Sequence, residues 1–268
     1  MRLSFAATLL FVGTSMILAG VACEEDRSKS LAPAVASLEP ATSAPTARTY
    51  AVDGATSAVE FVMDAPLEKI YGELEQGISG ELRVDERDLE KSTGLIKIDL
   101  MKLVLYQQKR ANEQEEYGER KKSDKQNEHM RAWLEISPDA PAAVREKNRW
   151  VSFKVTALEN LSAQDIGNLA PGSRKVTATV VGDVLLHGRK TSQKAKVALA
   201  FEGSKQSIDS VHVTTLEPLI VDLRKHDVRP REAFGKLAQM TLEKLGQKVA
   251  TEVPVKLTFT ARASGAAR

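Results

Sequence analysis

The 268-residue chain has one cysteine, Cys23, so no disulfide can form within it and any fold must be held by an apolar core. Aromatic residues are scarce, at 5%, and the net charge is only +2. No basic patch is interleaved with aromatics, which excludes the usual footprint of a nucleic-acid binder. Catalytic signatures are missing too. There is no nucleophile elbow, phosphate-binding loop, dinucleotide fingerprint or zinc-protease pair. Of the four histidines, His129, His187, His212 and His226, none stands three or four residues from another, the spacing a helical metal site needs. The acidic residues are many but scattered. No catalytic residue, metal or cofactor is therefore expected. An enzyme acting on a lipid through His187 or His129 is the minor reading.

One long apolar run is present, Phe5 to Val21, behind the single positive charge of Arg2. With small residues at its end, this is the layout of an export signal, and residues 1–22 are read as a removed signal peptide and not as a membrane span. Gly20 and Ala22 suit an ordinary signal peptidase cutting before Cys23. The region also resembles a bacterial lipoprotein signal, in which the residue after the cut is a lipid-modified cysteine, although Gly20 stands where leucine is usual. Lipidation of Cys23 would anchor the chain to a membrane; the plain alternative is an incidental cysteine. The expected location is the periplasm or cell envelope. Residues 23–48 carry Pro33, Pro40 and Pro45 among Ala, Ser and Thr. They read as a flexible tether that reaches roughly 25–30 Å.

From residue 49 to 263 the composition is globular, and residues 264–268 read as a disordered tail. Ala58–Met63, Gly80–Val84, Leu95–Leu105, Trp150–Leu158, Val176–Leu186, Lys194–Phe201, Val211–Thr215, Leu219–Leu223 and Pro254–Ala261 alternate apolar and polar residues. Such runs, punctuated by Gly, Asn, Ser and Pro, predict a mainly β, mostly antiparallel domain, a barrel or a sandwich. Two segments break the pattern. Gln107 to Arg131 holds seven Lys or Arg against six Asp or Glu and reads as an exposed, partly helical charged insertion. Glu232 to Leu245 places Phe234, Leu237, Ala238, Thr241 and Leu245 at helical spacing, with Pro230 before and Gly246 after. This predicts a short amphipathic helix that covers a barrel end, or a mobile lid. His187, before Gly188 and between two strands, is expected in a turn with unusual backbone angles.

The order of these pieces resembles the YceI-like family of exported, lipocalin-like proteins. Tyr50-Ala-Val-Asp53 with Ser57-Ala-Val-Glu-Phe61 is similar to the family's first strand. Tyr71-Gly72 with Gly80-Glu-Leu-Arg-Val-Asp85 is similar to its second hairpin. Val181-Gly-Asp-Val-Leu-Leu-His-Gly188, followed by Arg189-Lys-Thr191, looks like its histidine-glycine hairpin. Val253-Pro-Val-Lys-Leu-Thr-Phe259 takes the closing position. The family's Arg-Asp pair is lost at Gln126-Asn127-Glu128-His129-Met130, where the histidine is kept, followed by Trp133-Leu134.

The resemblance implies an eight-stranded antiparallel lipocalin-like barrel around an elongated apolar cavity. It also implies a polyisoprenoid, isoprenoid quinone or other long-chain lipid as ligand, with reversible burial and no covalent chemistry. The expected ligand-binding positions are Phe61, Met63, Ile98, Leu100, Phe153, Val155, Leu199, Phe201, Leu257 and Phe259, with Trp133 and Trp150 near a mouth. Alternation alone does not say which face of each strand points inward. The competing reading is a structural or partner-binding envelope lipoprotein, with its barrel filled by its own side chains and the charged insertion as its working surface. A homodimer or an envelope protein partner is left open.

Overall fold

The alternating runs form twelve strands in the computed structural model, which describes residues 31–229 and 251–264. They are β1 (Arg48–Ala65), β2 (Glu68–Glu75), β3 (Ile78–Val84), β4 (Thr93–Asp99), β5 (Val104–Lys109), β6 (Lys121–Lys122), β7 (Trp150–Glu159), β8 (Lys175–Leu186), β9 (Arg189–Gly203), β10 (Ile208–Thr215), β11 (Leu219–Asp222) and β12 (Glu252–Ala263). Two helices are described, α1 (Asp124–Trp133) and α2 (Ala142–Asn148). The expected signal peptide, Cys23, the helix at 232–245 and all but the first residue of the tail lie outside the described residues.

Eight strands close into a ring in the order β1-β3-β4-β7-β8-β9-β10-β12, because β12 returns to β1. The closing seam pairs Tyr50 with Ala263 at one end and Phe61 with Val255 at the other, with a bulge between Asp53 and Ala58. Such bulges sharpen a strand's bend and twist. Here it lets the first half of β1 pair with β3 and the second half with β2. Past the bulge β2, β5, β6 and β11 extend the wall, so the barrel is wider at the C-terminal end of β1 than at its start. We call these ends the mouth and the floor.

Leu95–Leu105, expected as one strand, is two. The residues Leu100–Lys102 form a 3-10 turn between β4 and β5. The cause is a polar corner. The buried Asp99 carboxylate accepts the Met101 amide (3.1 Å) and takes a two-pronged bond from Arg149, 2.8 Å from Nε and 2.7 Å from Nη2. A charge-assisted pair of this geometry fixes direction as well as energy. It turns the chain from the β4 line to the β5 line.

The floor is closed by a second corner. The fully buried Tyr50 places its hydroxyl 2.6 Å from Glu86 and 3.1 Å from the Ile208 carbonyl, and Arg48 reaches the same two acceptors. Burial, with the Glu86 carboxylate beside it, pushes the Tyr50 phenol well above the ordinary tyrosine range. Leu89 and Ile166, both fully buried, pack this end.

The Ala/Pro/Ser/Thr segment departs from the expected free tether. Ala34 bridges to Arg189, the Val35 amide donates to Gly188 O, the Lys190 amide to Pro33 O and the Ala32 amide to Lys225 O, each of these three at 2.9 Å. Proline-rich chain keeps its carbonyls and most of its amides, and here the half-buried hairpin tip and Lys225 partner them. From this mouth-end dock the chain runs to the floor, where Thr46 bonds Asp85 and β1 begins.

Two outcomes are expected. Tyr50→Phe leaves the Ile208 carbonyl and Glu86 short of a donor and lowers stability by about 1–2 kcal/mol in urea unfolding. The Arg149 bonds hold the Asp99 carboxyl below the ordinary carboxylate range. A depressed folded-state pKa contributes stability above the unfolded value, about 3.9, that is lost as pH falls through the folded one. Asp99→Asn should flatten that acid limb, read as the urea midpoint against pH.

Candidate functional site

The ring is hollow. A cavity of about 1270 Å³ runs from Leu89, Ser92 and Phe201 near the floor to Pro66, Leu67 and Trp133 at the mouth. Alternation explains its wall. Phe61, Gly72 and Leu105 share one register row across β1, β2 and β5, and each strand's neighbours in sequence turn outward. The inward positions are mostly Val, Leu and Ile, which line a wall without filling its centre.

Two glycines keep the lumen open. A Cβ on Gly72 would collide with the Phe61 ring, and one on Gly182 would meet the Phe153 ring and the Lys154 carbonyl. Gly72 pairs directly with Phe61, and Gly182 pairs with Val155, two residues from Phe153. Each ring therefore lies over a glycine of the next strand, flat on the wall, and does not stand across the cavity.

All eleven expected positions, Phe61, Met63, Ile98, Leu100, Phe153, Val155, Leu199, Phe201, Leu257, Phe259 and Trp133, line this cavity. Trp150 does not. Its ring lies under the Arg149 guanidinium at 4.7 Å and its indole N–H donates to Glu146 at 3.2 Å. Most of the wall went unnamed, including Val151, Val184, Val197 and Val213. Their signal was the same alternation, carried by smaller residues.

The charged insertion is only partly a solvated excursion. Its first residues finish β5, and its last part is α1, capped by Ser123, whose hydroxyl accepts the Gln126 amide. Gln126, His129, Met130 and Trp133 recur at helical spacing and face the cavity mouth. The buried Asn127 side chain exchanges bonds with the Leu105 backbone at 3.0 and 2.9 Å, fixing the helix on β5. His129 and Trp133 stack nearly parallel, with centroids 6.3 Å apart and planes 8° from each other. Burial, reinforced by Lys125, pushes the His129 imidazole below its ordinary range, so it stays neutral at neutral pH.

Polar lining is uneven. Ser92, Thr93 and Thr215 are the small polar groups of the wall, whereas Glu68, Gln107, Lys109, Arg110, Lys125 and His129 gather at the mouth. Arg110 is engaged there, donating to Pro66 O at 2.7 Å and to Glu113 O at 2.9 Å. Among the described residues no group of three or more His, Cys, Asp or Glu could hold a metal ion.

His187 and His226 form a latch beside this mouth. His187 (φ 51°) and Gly188 (φ 70°) make the two-residue turn between β8 and β9, the primed geometry that favours glycine at its second position. The His187 ring lies between the His226 carbonyl (3.2 Å from Nδ1) and the Glu135 carboxylate (2.8 Å from Nε2). The fully buried His226 ring donates from Nδ1 toward Arg189 O (3.0 Å) and Leu186 O (3.2 Å), and its Nε2 faces the Thr191 hydroxyl at 3.1 Å. Burial lowers its pKa. The missed partner, His226, lies in a short loop with no periodic signal.

No curated protein matches the chain. Among solved structures, it is similar to a polyisoprenoid binding domain from Saccharophagus degradans implicated in plant cell wall breakdown. The two share 17% identity over 80% of this chain and 98% of that one, with a TM-score of 0.49. It is also similar to BcnA of Burkholderia cenocepacia, at 16% identity over 80% of this chain and 99% of that one, with a TM-score of 0.47. A family model, the YceI-like domain, matches residues 50–261, from the tyrosine that closes the floor to the last strand of the ring. The chain belongs to the YceI-like domain family.

Proposed function

We propose that the protein is an exported binding protein of the cell envelope. It takes up a long-chain amphiphile, a polyisoprenoid, an isoprenoid quinone or a similar lipid, tail first into the barrel. The observation that carries this reading is the hollow apolar cavity with its charged and amide side chains confined to one end. At about 1270 Å³ it exceeds the roughly 300–1,000 Å³ of pockets that hold drug-sized ligands. Burying a tail there gains roughly 25 cal/mol per Å² of apolar surface removed from water, so affinity grows with tail length. A polar head would find its partners at Gln107, Lys125 and His129 and has few deeper in. The mechanism is reversible burial, with no bond made or broken. Polyisoprenoid binding is named for one similar solved protein; the reading for this chain rests on its own cavity.

The remaining parts of the proposal come from the sequence. Residues 1–22 direct export, and Cys23, if lipidated, ties the barrel to a membrane. A filled barrel that serves only as a structural or partner-binding module is the competing reading, and the unfilled volume left by the described residues argues against it.

The full chain, purified and extracted with organic solvent, should release a long-chain lipid in near-stoichiometric amount by mass spectrometry. An empty protein that also ignores added polyprenols and quinones would overturn the proposal. Phe259→Asp, which places a charge on the cavity wall, should weaken uptake at least about tenfold, equivalent to about 1.4 kcal/mol. Because that variant also strains the fold, Val184→Phe with Val213→Phe serves as an uncharged companion. It should keep a cooperative melt and select shorter tails.

A further inference from the structure

The five large apolar side chains that stand most exposed among the described residues are Val62, Leu67, Met101, Leu216 and Ile220. Scattered singly, such residues need no explanation. These are not scattered: all five belong to the mouth half of the barrel. Leu67 sits in the turn after β1, Leu216 follows the mouth-end terminus of β10, and Met101 follows that of β4.

Register makes several of them contiguous. Ile220 pairs with Pro254, and Phe61 pairs with Val255, so Val62 and Ile220 flank Pro254 from the two neighbouring strands. Val62 pairs with Tyr71, and Tyr71 pairs with Tyr106. Directly paired residues share a face, and the next row, Phe61 with Gly72 and Val255, faces the cavity side. The row Ile220, Pro254, Val62, Tyr71, Tyr106 therefore runs along the outside of the flared wall. Arg120 lies over both tyrosine rings, 4.3 Å from Tyr71 and 4.9 Å from Tyr106, and pairs with Glu73. Aliphatic side chains edged by tyrosines and a stacked arginine are the composition of a surface half in hydrocarbon and half in headgroups.

The route of the N-terminal chain identifies what meets this surface. Residues 32–35 are fixed to the β8–β9 hairpin at the mouth, not at the floor. Upstream the sequence carries the apolar run Phe5–Val21 and then Cys23. Nine residue steps separate Cys23 from Ala32, a span of at most roughly 30 Å. A bilayer that holds a lipidated Cys23, or the run while it is still uncut, is thus kept within reach of the mouth and cannot lie against the floor.

We propose that the mouth half of the barrel docks on a lipid bilayer through the row Ile220, Val62, Tyr71 and Tyr106, with Leu67 at the rim. The cavity then opens toward the membrane that supplies or receives its ligand. This extends the reading of the cavity as a lipid site, and its test is separable from that reading.

The test uses the full chain with Cys23→Ser, made without export so that residues 1–22 stay uncut, in vesicles of equal parts phosphatidylglycerol and phosphatidylethanolamine. Single cysteines at Val62→Cys, Ile220→Cys and, on the floor-end turn, Lys205→Cys carry a polarity-sensitive fluorophore. The first two should shift to the blue and be quenched by a lipid-borne quencher, and the third should report water. Equal water exposure at all three sites overturns the proposal. So does a blue shift without vesicles that rises with protein concentration, since a second copy then covers the row. Val62→Asp with Ile220→Asp should slow lipid uptake from vesicles and leave the amount bound at equilibrium unchanged. A fall in that amount overturns the docking role of the row. The equilibrium lipid content of the unsubstituted chain reports separately on the cavity.

Discussion

The return of β12 to β1 is the constraint on which the rest depends. Without that seam the sheet has two open edges and an apolar face with nothing to cover it, because no other layer in the described structure could pack there. With it, every inward row is enclosed by the opposite wall. The bulge between Asp53 and Ala58 lets one strand serve two neighbours, β3 below and β2 above. The widening at the mouth is thus a direct consequence of how the ring is closed.

Closure alone does not produce a cavity, since eight strands enclose only enough room for side chains or for one ligand. What tips the balance is residue size. Valine and leucine make up most of the wall, and the Phe61 and Phe153 rings lie against Gly72 and Gly182 instead of crossing the lumen. An unfilled apolar space forfeits dispersion contacts. The two polar corners, Tyr50 with Glu86 and Asp99 with Arg149, stand at places where the chain must turn, and so hold the ring without occupying its interior.

Much of this was legible in the sequence, and the reason is period two. Alternation located the strands, and choosing one phase of it put the ten expected strand-segment positions from Phe61 to Phe259 on the cavity wall, though not Trp150. The run Leu95–Leu105 was read through the break at Leu100, although the inward phase of Ile96, Ile98 and Leu100 slips at Lys102 to Leu103 and Leu105; the turn itself is fixed by Arg149, fifty residues from Asp99. Composition misled at residues 32–35, where low hydrophobicity suggested free chain and a hairpin tip supplied the missing bonds. Charge density had the same effect at α1. Counting charges hid the stripe of Gln126, His129, Met130 and Trp133, although its helical spacing was present in the sequence.

The latch at His187 and His226 bears on how such a cavity could exchange a lipid. A closed hydrogen-bonded ring opens only at its ends, and the floor is sealed by fully buried Tyr50, Leu89 and Ile166. Passage of a tail therefore has to use the mouth, where α1, the β8–β9 turn and the loop carrying His226 meet. That loop is tied to the turn by the bonds of the His226 ring to the Leu186 and Arg189 carbonyls and is anchored in the core by Val228. Loops outside the strand ladders still open at lower free energy than strands in a core. The mouth can thus yield locally while the ring stays intact, which separates ligand exchange from unfolding.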